Sequence, residues 1–336
     1  MSLARRAAVG ATVLGVVVAV GMMGAGSPDF GGPGQPQPAP LTYLALGDSV
    51  ASGHGLGTDT AVVAADRDFG QPNGNCQRSS GNTLAEKAYT DLVDDALQPA
   101  RFVKLACTGH TTADLLTYQV PAAARVGAAG GDSVVTVTAG ANNYRFDEPA
   151  TYLSLLDPRA DAHLAWRAAI EATVRADLGR ALAELGRGQP GRRILVTHYY
   201  NPYNDASPVF ALAAVCGGPS PLVDCRARVA GTVTGLNQAI SDAVQTYQAG
   251  RGPSGARAAV VGGVQAAFAG HESPRPFCGG RPPDAGASWV QSPSQAFVAG
   301  ALLGQHRIGA GSDCVHPNPA GHRALARLVL DELAAP

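Results

Sequence analysis

Charge is scarce in this chain. Asp, Glu, Lys and Arg make up 15% of its 336 residues and nearly cancel, to a net charge of −1. No basic run occurs, so the electrostatic footprint of a nucleic-acid-binding protein is missing. Arginine almost replaces lysine while Gly and Ala abound, a bias of composition rather than of function. No Cys-x-x-Cys pair occurs, and the histidines do not cluster at zinc-ligand spacing. A structural metal is therefore not expected. No internal repeat is present. What remains is a chain that is 46% hydrophobic, enough for one substantial core.

The first residues read as a targeting segment. Arg5 and Arg6 precede an apolar stretch from about Ala7 to Met23, followed by Gly24, Ala25 and Gly26. That order is the pattern of a secretory signal, and residues 1–26 are assigned to one. An uncleaved single-span anchor is the alternative, although the stretch is borderline in length for it and rich in Gly and Ala. The rest of a twin-arginine consensus is missing. Residues 27–40, rich in Gly, Pro and Gln, read as a linker, leaving 41–336 as one domain. Six cysteines, an even number, fit export and disulfides.

From residue 41 onward, short apolar runs alternate with helical periods. Strands are expected at 41–46, 101–106, Ser133–Thr138, Arg192–Thr197 and Arg257–Val261. Several are uninterrupted and β-branched, as parallel strands buried on both faces are. Ile170, Val174, Leu178, Leu182 and Leu185 share one helical face, and Val229, Val233, Leu236, Ile240, Val244 and Tyr247 share another. A shorter helix is expected at 82–96. The last should span 319–333, with Asn318 as N-cap, Pro319 at its first position and Leu325, Val329 and Leu333 facing the core. This alternation predicts an α/β fold: a three-layer α/β/α sandwich around a parallel sheet of about five strands. Residues 54–80, 201–224 and 271–312 read as long loops, which on such a scaffold often shape a binding site.

Chemistry concentrates at a few strand ends. Ser49 follows the first apolar run in Ala45-Leu46-Gly47-Asp48-Ser49, a strand entering a tight turn that exposes a hydroxyl. Asp313 and His316 sit in Asp313-Cys314-Val315-His316, just before the terminal helix. A serine, a histidine and an aspartate so placed are the material of a Ser-His-Asp hydrolase. Taken alone, Asp48-Ser49 also suits an ordinary turn with an N-cap serine.

Gly47-Asp48-Ser49, Gly109 in Ala106-Cys107-Thr108-Gly109, Gly140-Ala141-Asn142-Asn143 and Asp313-Cys314-Val315-His316 occur in the order of the four blocks of the SGNH hydrolases, also called GDSL-type esterases and lipases. The chain resembles their secreted actinobacterial branch. Cys76-Gln77-Arg78-Ser79 and Phe268-Ala269-Gly270-His271 resemble further segments of that branch. The resemblance spans about Leu41 to Leu333 and implies the flavodoxin-like fold of that family.

It also implies roles. Ser49 would be the nucleophile, His316 the general base, and Asp313 the group that holds the imidazole, unless a backbone carbonyl takes that part. The oxyanion would rest on the backbone N–H groups of Ser49 and Gly109 and the amide of Asn142. Glycine permits close backbone approach, and an Asn amide is a neutral donor. The third block departs from the family at Asn143, where an Asp is usual. The lost carboxylate supported the neighbouring loop rather than the chemistry; a slipped register would instead make Asn143 the donor.

His54 and His110 either line the pocket or lie at the surface. His271 lies near the cleft by resemblance, and His198 ends a strand as a core-edge residue that can reach the catalytic edge. Tyr199, Tyr200, Tyr203 and Phe210 line a substrate site or pack a loop. The resemblance pairs Cys76 with Cys107. Cys216 and Cys225 bracket a Gly/Pro-rich loop and are natural partners, which leaves Cys278 with Cys314.

The expectation is therefore a secreted hydrolase of carboxylic esters working through an acyl-enzyme, with no cofactor. The partner is an ester substrate: a lipid, an acylated sugar or a small ester. A monomer is expected, with membrane contact only if the N-terminal segment is retained. Asn143 favours one alternative, a degenerate non-catalytic module holding a glycan or lipid. An acyltransferase is the other, and the sequence does not separate it from hydrolysis.

Overall fold

Apolar runs that are buried on both faces have no solvent side to alternate with, and here they assemble into a single parallel sheet. The computed structural model describes residues 41–54, 56, 59–60, 78–79, 87–127, 132–144, 160–202, 222–271 and 316–335. In chain order the strands are β1 (Thr42–Gly47), β2 (Asp59–Thr60), β3 (Arg78–Ser79), β4 (Arg101–Lys104), β5 (Ser133–Thr138), β6 (Arg192–Thr197) and β7 (Arg257–Val261). The main sheet has the order β4-β1-β5-β6-β7, parallel throughout. β2 and β3 form a separate antiparallel pair inside the stretch expected to be a loop.

The helices are α1 (Ser49–Ser52), α2 (Tyr89–Leu97), α3 (Thr112–Asp114), α4 (Val120–Gly127), α5 (Ala160–Gly186), α6 (Leu222–Gly250), α7 (Val264–Phe268) and α8 (Pro319–Ala334). α4, α5 and α6 pack together on one side of the sheet, and α2 and α8 on the other. This split follows from the topology. The chain leaves β1 toward one edge and then reverses to build β5, β6 and β7, and right-handed crossovers place helices on opposite faces for opposite directions. The three-layer α/β sandwich is thus the observed architecture.

The reversal has a functional consequence. β1 and β5 are neighbours whose connections depart in opposite directions, and it is at the carboxyl ends of such a pair that open α/β sheets carry their binding crevice. Ser49 lies immediately beyond β1, and Asn142 just beyond β5.

The helical faces hold closely. Val174, Leu178, Leu182 and Leu185 of α5 and Leu236, Ile240 and Val244 of α6 are buried, while Ile170, Val233 and Tyr247 pack at the margin. Asn318 caps α8 as expected, its Oδ1 accepting from the N–H groups of Ala320 (2.9 Å) and Gly321 (3.1 Å).

Boundaries differ in places. β4 ends at Lys104, short of Ala106, because the N–H groups of Leu105 (2.7 Å) and Ala106 (3.0 Å) both go to the Ala45 carbonyl. Two donors on one acceptor break the one-for-one parallel ladder. α6 begins at Leu222, ahead of the first residue of its apolar face and inside the expected loop. α2 starts only at Tyr89; residues 82–86 of the expected helix lie outside the described residues. The helical passage from Thr112 to Gly127 has no counterpart among the expected elements. Residues 1–40, assigned above to signal and linker, also lie outside the described residues.

Candidate active site

The turn after β1 is held by short, specific contacts. Gly47 has φ of +132°, a region that disfavours any side chain. A Cβ there would meet the Thr138 carbonyl oxygen at 2.1 Å. Asp48 follows as N-cap of α1, its Oδ1 accepting from the Val50 N–H at 2.9 Å. A cap of this kind is worth about 1 kcal/mol. Ser49 is the first residue of α1 and is 7% exposed.

His316 reaches this turn from the far end of the sequence. Its Nε2 lies 2.6 Å from Ser49 Oγ. With the ring proton on Nδ1, the hydroxyl donates to Nε2, the contact that general-base activation of a serine needs. The edge of His54, a buried ring, packs against His316 with centroids 4.7 Å apart. Asp313 lies outside the described residues.

The second loop brings Gly109 beside the turn in a left-handed conformation, φ +83°. A Cβ built on it would touch nothing within 4 Å, so open space lies there. Among the described residues, the N–H groups of Ser49 and Gly109 donate to no acceptor. The third loop supplies Asn142, whose Nδ2 donates to the His110 carbonyl at 3.0 Å. An amide has two N–H bonds, and this contact uses one. Together these groups can polarise a hydroxyl and offer unspent donors to a developing negative charge.

The family model for GDSL-like lipase/acylhydrolase matches residues 43–329. The chain belongs to the GDSL-like lipase/acylhydrolase family. It is a carboxylic ester hydrolase. The structure of phospholipase A1 from Streptomyces albidoflavus NA297 is similar, with a TM-score of 0.55 and 23% identity, over 88% of this chain and 100% of that one. An extracellular lipase from Streptomyces rimosus aligns with a TM-score of 0.54 and 21% identity, over 88% and 100%. Both show the same fold. A search of curated protein sequences found no match.

Within this GDSL-like hydrolase, Asn142 and Asn143 face different partners. Asn143 Oδ1 accepts from the Thr112 N–H (3.0 Å), and its Nδ2 donates to Thr112 Oγ1 (2.8 Å). That hydroxyl gives its own proton to Asp177 (2.7 Å), which Arg180 also binds. A carboxylate at position 143 would face an oxygen whose proton is already committed. The amide therefore suits this environment, and the side chain ties the third loop to the start of α3.

Asp48 is almost fully buried, and burial pushes its carboxyl up to about 6. A hydrogen bond from Tyr199, the Val50 N–H and the charge of His316 pull it down. From the sequence, Tyr199 lines a substrate site or packs a loop. Instead its hydroxyl donates to Asp48 Oδ2 and accepts from the Ala141 N–H at 3.4 Å, linking the first and third loops. Asn237 on α6 fixes the Tyr199 backbone through both its N–H and its carbonyl, each at 2.8 Å. Tyr200 stacks on Phe268 with centroids 4.3 Å apart. Tyr203 and Phe210 lie outside the described residues.

The other histidines separate. His198 pairs with Ser241 Oγ at 2.9 Å, and burial lowers its pKa; its partner is on α6, not at Ser49. His110 is buried and turns Nδ1 to Gln119 Nε2 at 2.9 Å. His271 donates its backbone N–H to the Phe268 carbonyl at 2.9 Å. His322 escaped the sequence reading. It is fully buried on α8, where Nδ1 accepts from the Tyr89 N–H at 3.1 Å. Its signal was available, since it continues the stripe of Leu325 and Val329. Gln119 carried no such signal.

Cys107 is buried and disulfide-bonded. Cys76, Cys216, Cys278 and Cys314 lie outside the described residues, as does the side chain of Cys225. Among the described residues, no group of three or more His, Cys, Asp or Glu is placed to hold a metal ion.

Proposed function

We propose that this chain is a secreted serine esterase. The observation that carries the reading is the 2.6 Å approach of His316 Nε2 to Ser49 Oγ at the carboxyl end of the sheet. Ser49 attacks the acyl carbonyl while His316 takes its proton. The tetrahedral oxyanion is held by the N–H groups of Ser49 and Gly109 and the free N–H of Asn142. His316 then returns the proton to the leaving alcohol, and an acyl-enzyme remains. Water, deprotonated by His316, releases the acid. Asp313 holds the imidazole Nδ1–H and stabilises the imidazolium. No step calls for a cofactor. Asn143, the one feature that favoured a non-catalytic module, is occupied with Thr112 and takes no part in the chemistry.

The substrate class is a carboxylic ester: a lipid, an acylated sugar or a small ester. The phospholipase and lipase named above share the fold and make lipid esters the first to assay. Residues 1–26 act as an export signal and 27–40 as a linker ahead of a catalytic domain at 41–336. Cys76–Cys107, Cys216–Cys225 and Cys278–Cys314 are the disulfides that export permits, and the last would anchor the loop between Asp313 and His316. The functional protein is a monomer.

The test is covalent labelling. A fluorophosphonate should modify Ser49, located by mass spectrometry of the labelled peptide, and Ser49→Ala should lose both label and turnover of short-chain nitrophenyl esters. Labelling that persists at another serine would refute the assignment. Sequencing the protein from culture medium should give an N-terminus near residue 27; an intact Met1 in the membrane fraction would make the segment an anchor.

A further inference from the structure

Gln119 is a fully buried polar side chain whose contacts all lead to the site. It ends a π-helical turn, Leu115–Gln119, set between α3 and α4. Such a turn rotates the residues after it relative to a regular helix and is common beside functional sites. Here it aims one amide at the backbone of the nucleophile turn. Gln119 Oε1 accepts from the Gly47 N–H at 2.7 Å, and Nε2 donates to the Gly47 carbonyl at 2.8 Å. The same Nε2 lies 2.9 Å from His110 Nδ1. The amide orientation is set by its partners: the flipped form would put donor against donor and acceptor against acceptor at Gly47. Nε2 only donates, so His110 accepts on Nδ1 and carries its proton on Nε2.

The chain of contacts continues. The carbonyl of His110 holds the Asn142 amide at 3.0 Å, and His110 directly follows Gly109. One side chain thus touches the residue before Asp48-Ser49 and the residue after Gly109, and acts on Asn142 at one remove. Gly47 can take no side chain of its own to lock the turn, because of the Thr138 carbonyl.

We propose that Gln119 is the positioning residue that sets the spacing between the Ser49 hydroxyl and the oxyanion donors on Gly109 and Asn142. This rests on the function proposed above. It makes no contact with substrate and works through Gly47 and His110. Because the donors matter most when charge develops, loosening them lowers kcat more than it raises KM.

The experiment uses the full-length enzyme and a nitrophenyl ester. Gln119→Met keeps the volume and removes every hydrogen bond. It should lower kcat about 10²-fold, the cost of ångström-scale misplacement, with KM nearly unchanged. In a Gln119→Met/Asn142→Ala double variant, the two losses should overlap rather than multiply, since one acts through the other. Fully multiplied losses, or unchanged kcat in folded Gln119→Met, overturn the proposal.

Gln119→Glu serves if the methionine variant does not fold. Its carboxyl must be protonated to donate to the Gly47 carbonyl. Burial beside that carbonyl, with the charge of Asp48 one residue along, raises its pKa. Its activity should fall on the alkaline side relative to that of the native enzyme; a profile of native shape overturns the proposal. If Ser49→Ala keeps turnover, the functional reading fails and this inference with it. If Ser49→Ala is dead and the Gln119 variants behave like the native enzyme, only this inference is lost.

Discussion

His316 and His322 stand on either side of the same helix start, and the structure treats them in opposite ways. His316 precedes the Asn318 cap, is partly buried, and points Nε2 at Ser49. His322 lies inside the first turns of α8, fully buried against α2. Its Nδ1 lone pair is taken by the Tyr89 N–H, and its Nε2 carries the proton and meets no hydrogen-bond partner among the described residues. Burial, then the charges of Lys104 and His316, push its pKa down to about 3. With one nitrogen accepting and the other protonated, His322 has no lone pair to offer a substrate. Residue type therefore does not make a base. An unspent lone pair aimed at a hydroxyl does, and which side of a helix cap the ring falls on decides that.

The comparison breaks first at the histidines themselves. His316→Ala should lose nearly all turnover, by several orders of magnitude, while His322→Gln keeps turnover near the native level at neutral pH. Comparable losses in both, measured by kcat on a nitrophenyl ester, would mean that His322 belongs to the chemistry.

A similar contrast separates two adjacent asparagines. Asn142→Ala should lower kcat by about 10²–10³, the usual cost of one oxyanion donor. Asn143→Ala removes the Thr112 contacts and should cost about 1–2 kcal/mol of stability with a smaller kinetic effect. If Asn142→Ala is silent and Asn143→Ala is not, the register of the third loop has been misread.

Tyr199→Phe should act more mildly and in a pH-dependent way. It removes a hydrogen bond that pulls the Asp48 carboxyl down from where burial pushes it. The carboxyl should then stay protonated to a higher pH than about 6, weakening its electrostatic support for protonated His316. With less stabilisation of its protonated form, His316 loses its proton at lower pH, so the acid limb of the kcat/KM profile should shift downward in pH. An unmoved limb would show that the Asp48 charge does not matter to catalysis.

The smallest effect is on stability. A histidine depressed in the fold is protonated first in the unfolded chain, so its contribution is complete above about 6.5 and is lost as pH falls toward about 3. His322→Gln, which can still accept from Tyr89, should lose less stability than the native protein between pH 7 and pH 4.5 in urea titrations. Asp48 works the other way: its raised pKa favours the fold below about 3.8, and that contribution is lost as pH rises through about 6. An Asp48→Asn variant should not show that opposing loss.

Much of the fold was legible in the chain because the sheet is buried on both faces. Runs such as Ser133–Thr138 and Arg192–Thr197 can hardly be anything else. The long amphipathic faces of α5 and α6 were readable for the same reason, through their period. The passage from Thr112 to Gly127 was missed because it is short and interrupted by a π turn, which no regular period describes. Ser49 was legible as a serine at a strand end, while Gly109 and Asn142 were singled out through the resemblance of their blocks to the family.

By itself, then, the sequence determined the layers and, through its four blocks, the resemblance to the family. Local patterns encode these: apolar runs, helical stripes, a glycine at a turn, an asparagine cap. Only the tertiary structure decided who touches whom. It buried His322 against Tyr89, made Tyr199 a support for Asp48, and gave Gln119 its hold on Gly47 and His110. Those contacts join residues far apart in the chain, and their partners are chosen by where the strand order reverses at β1 and β5. Hydrogen bonds of that kind are dictated by three-dimensional proximity and by the cost of leaving a buried donor unpaired, neither of which is written in the neighbouring residues.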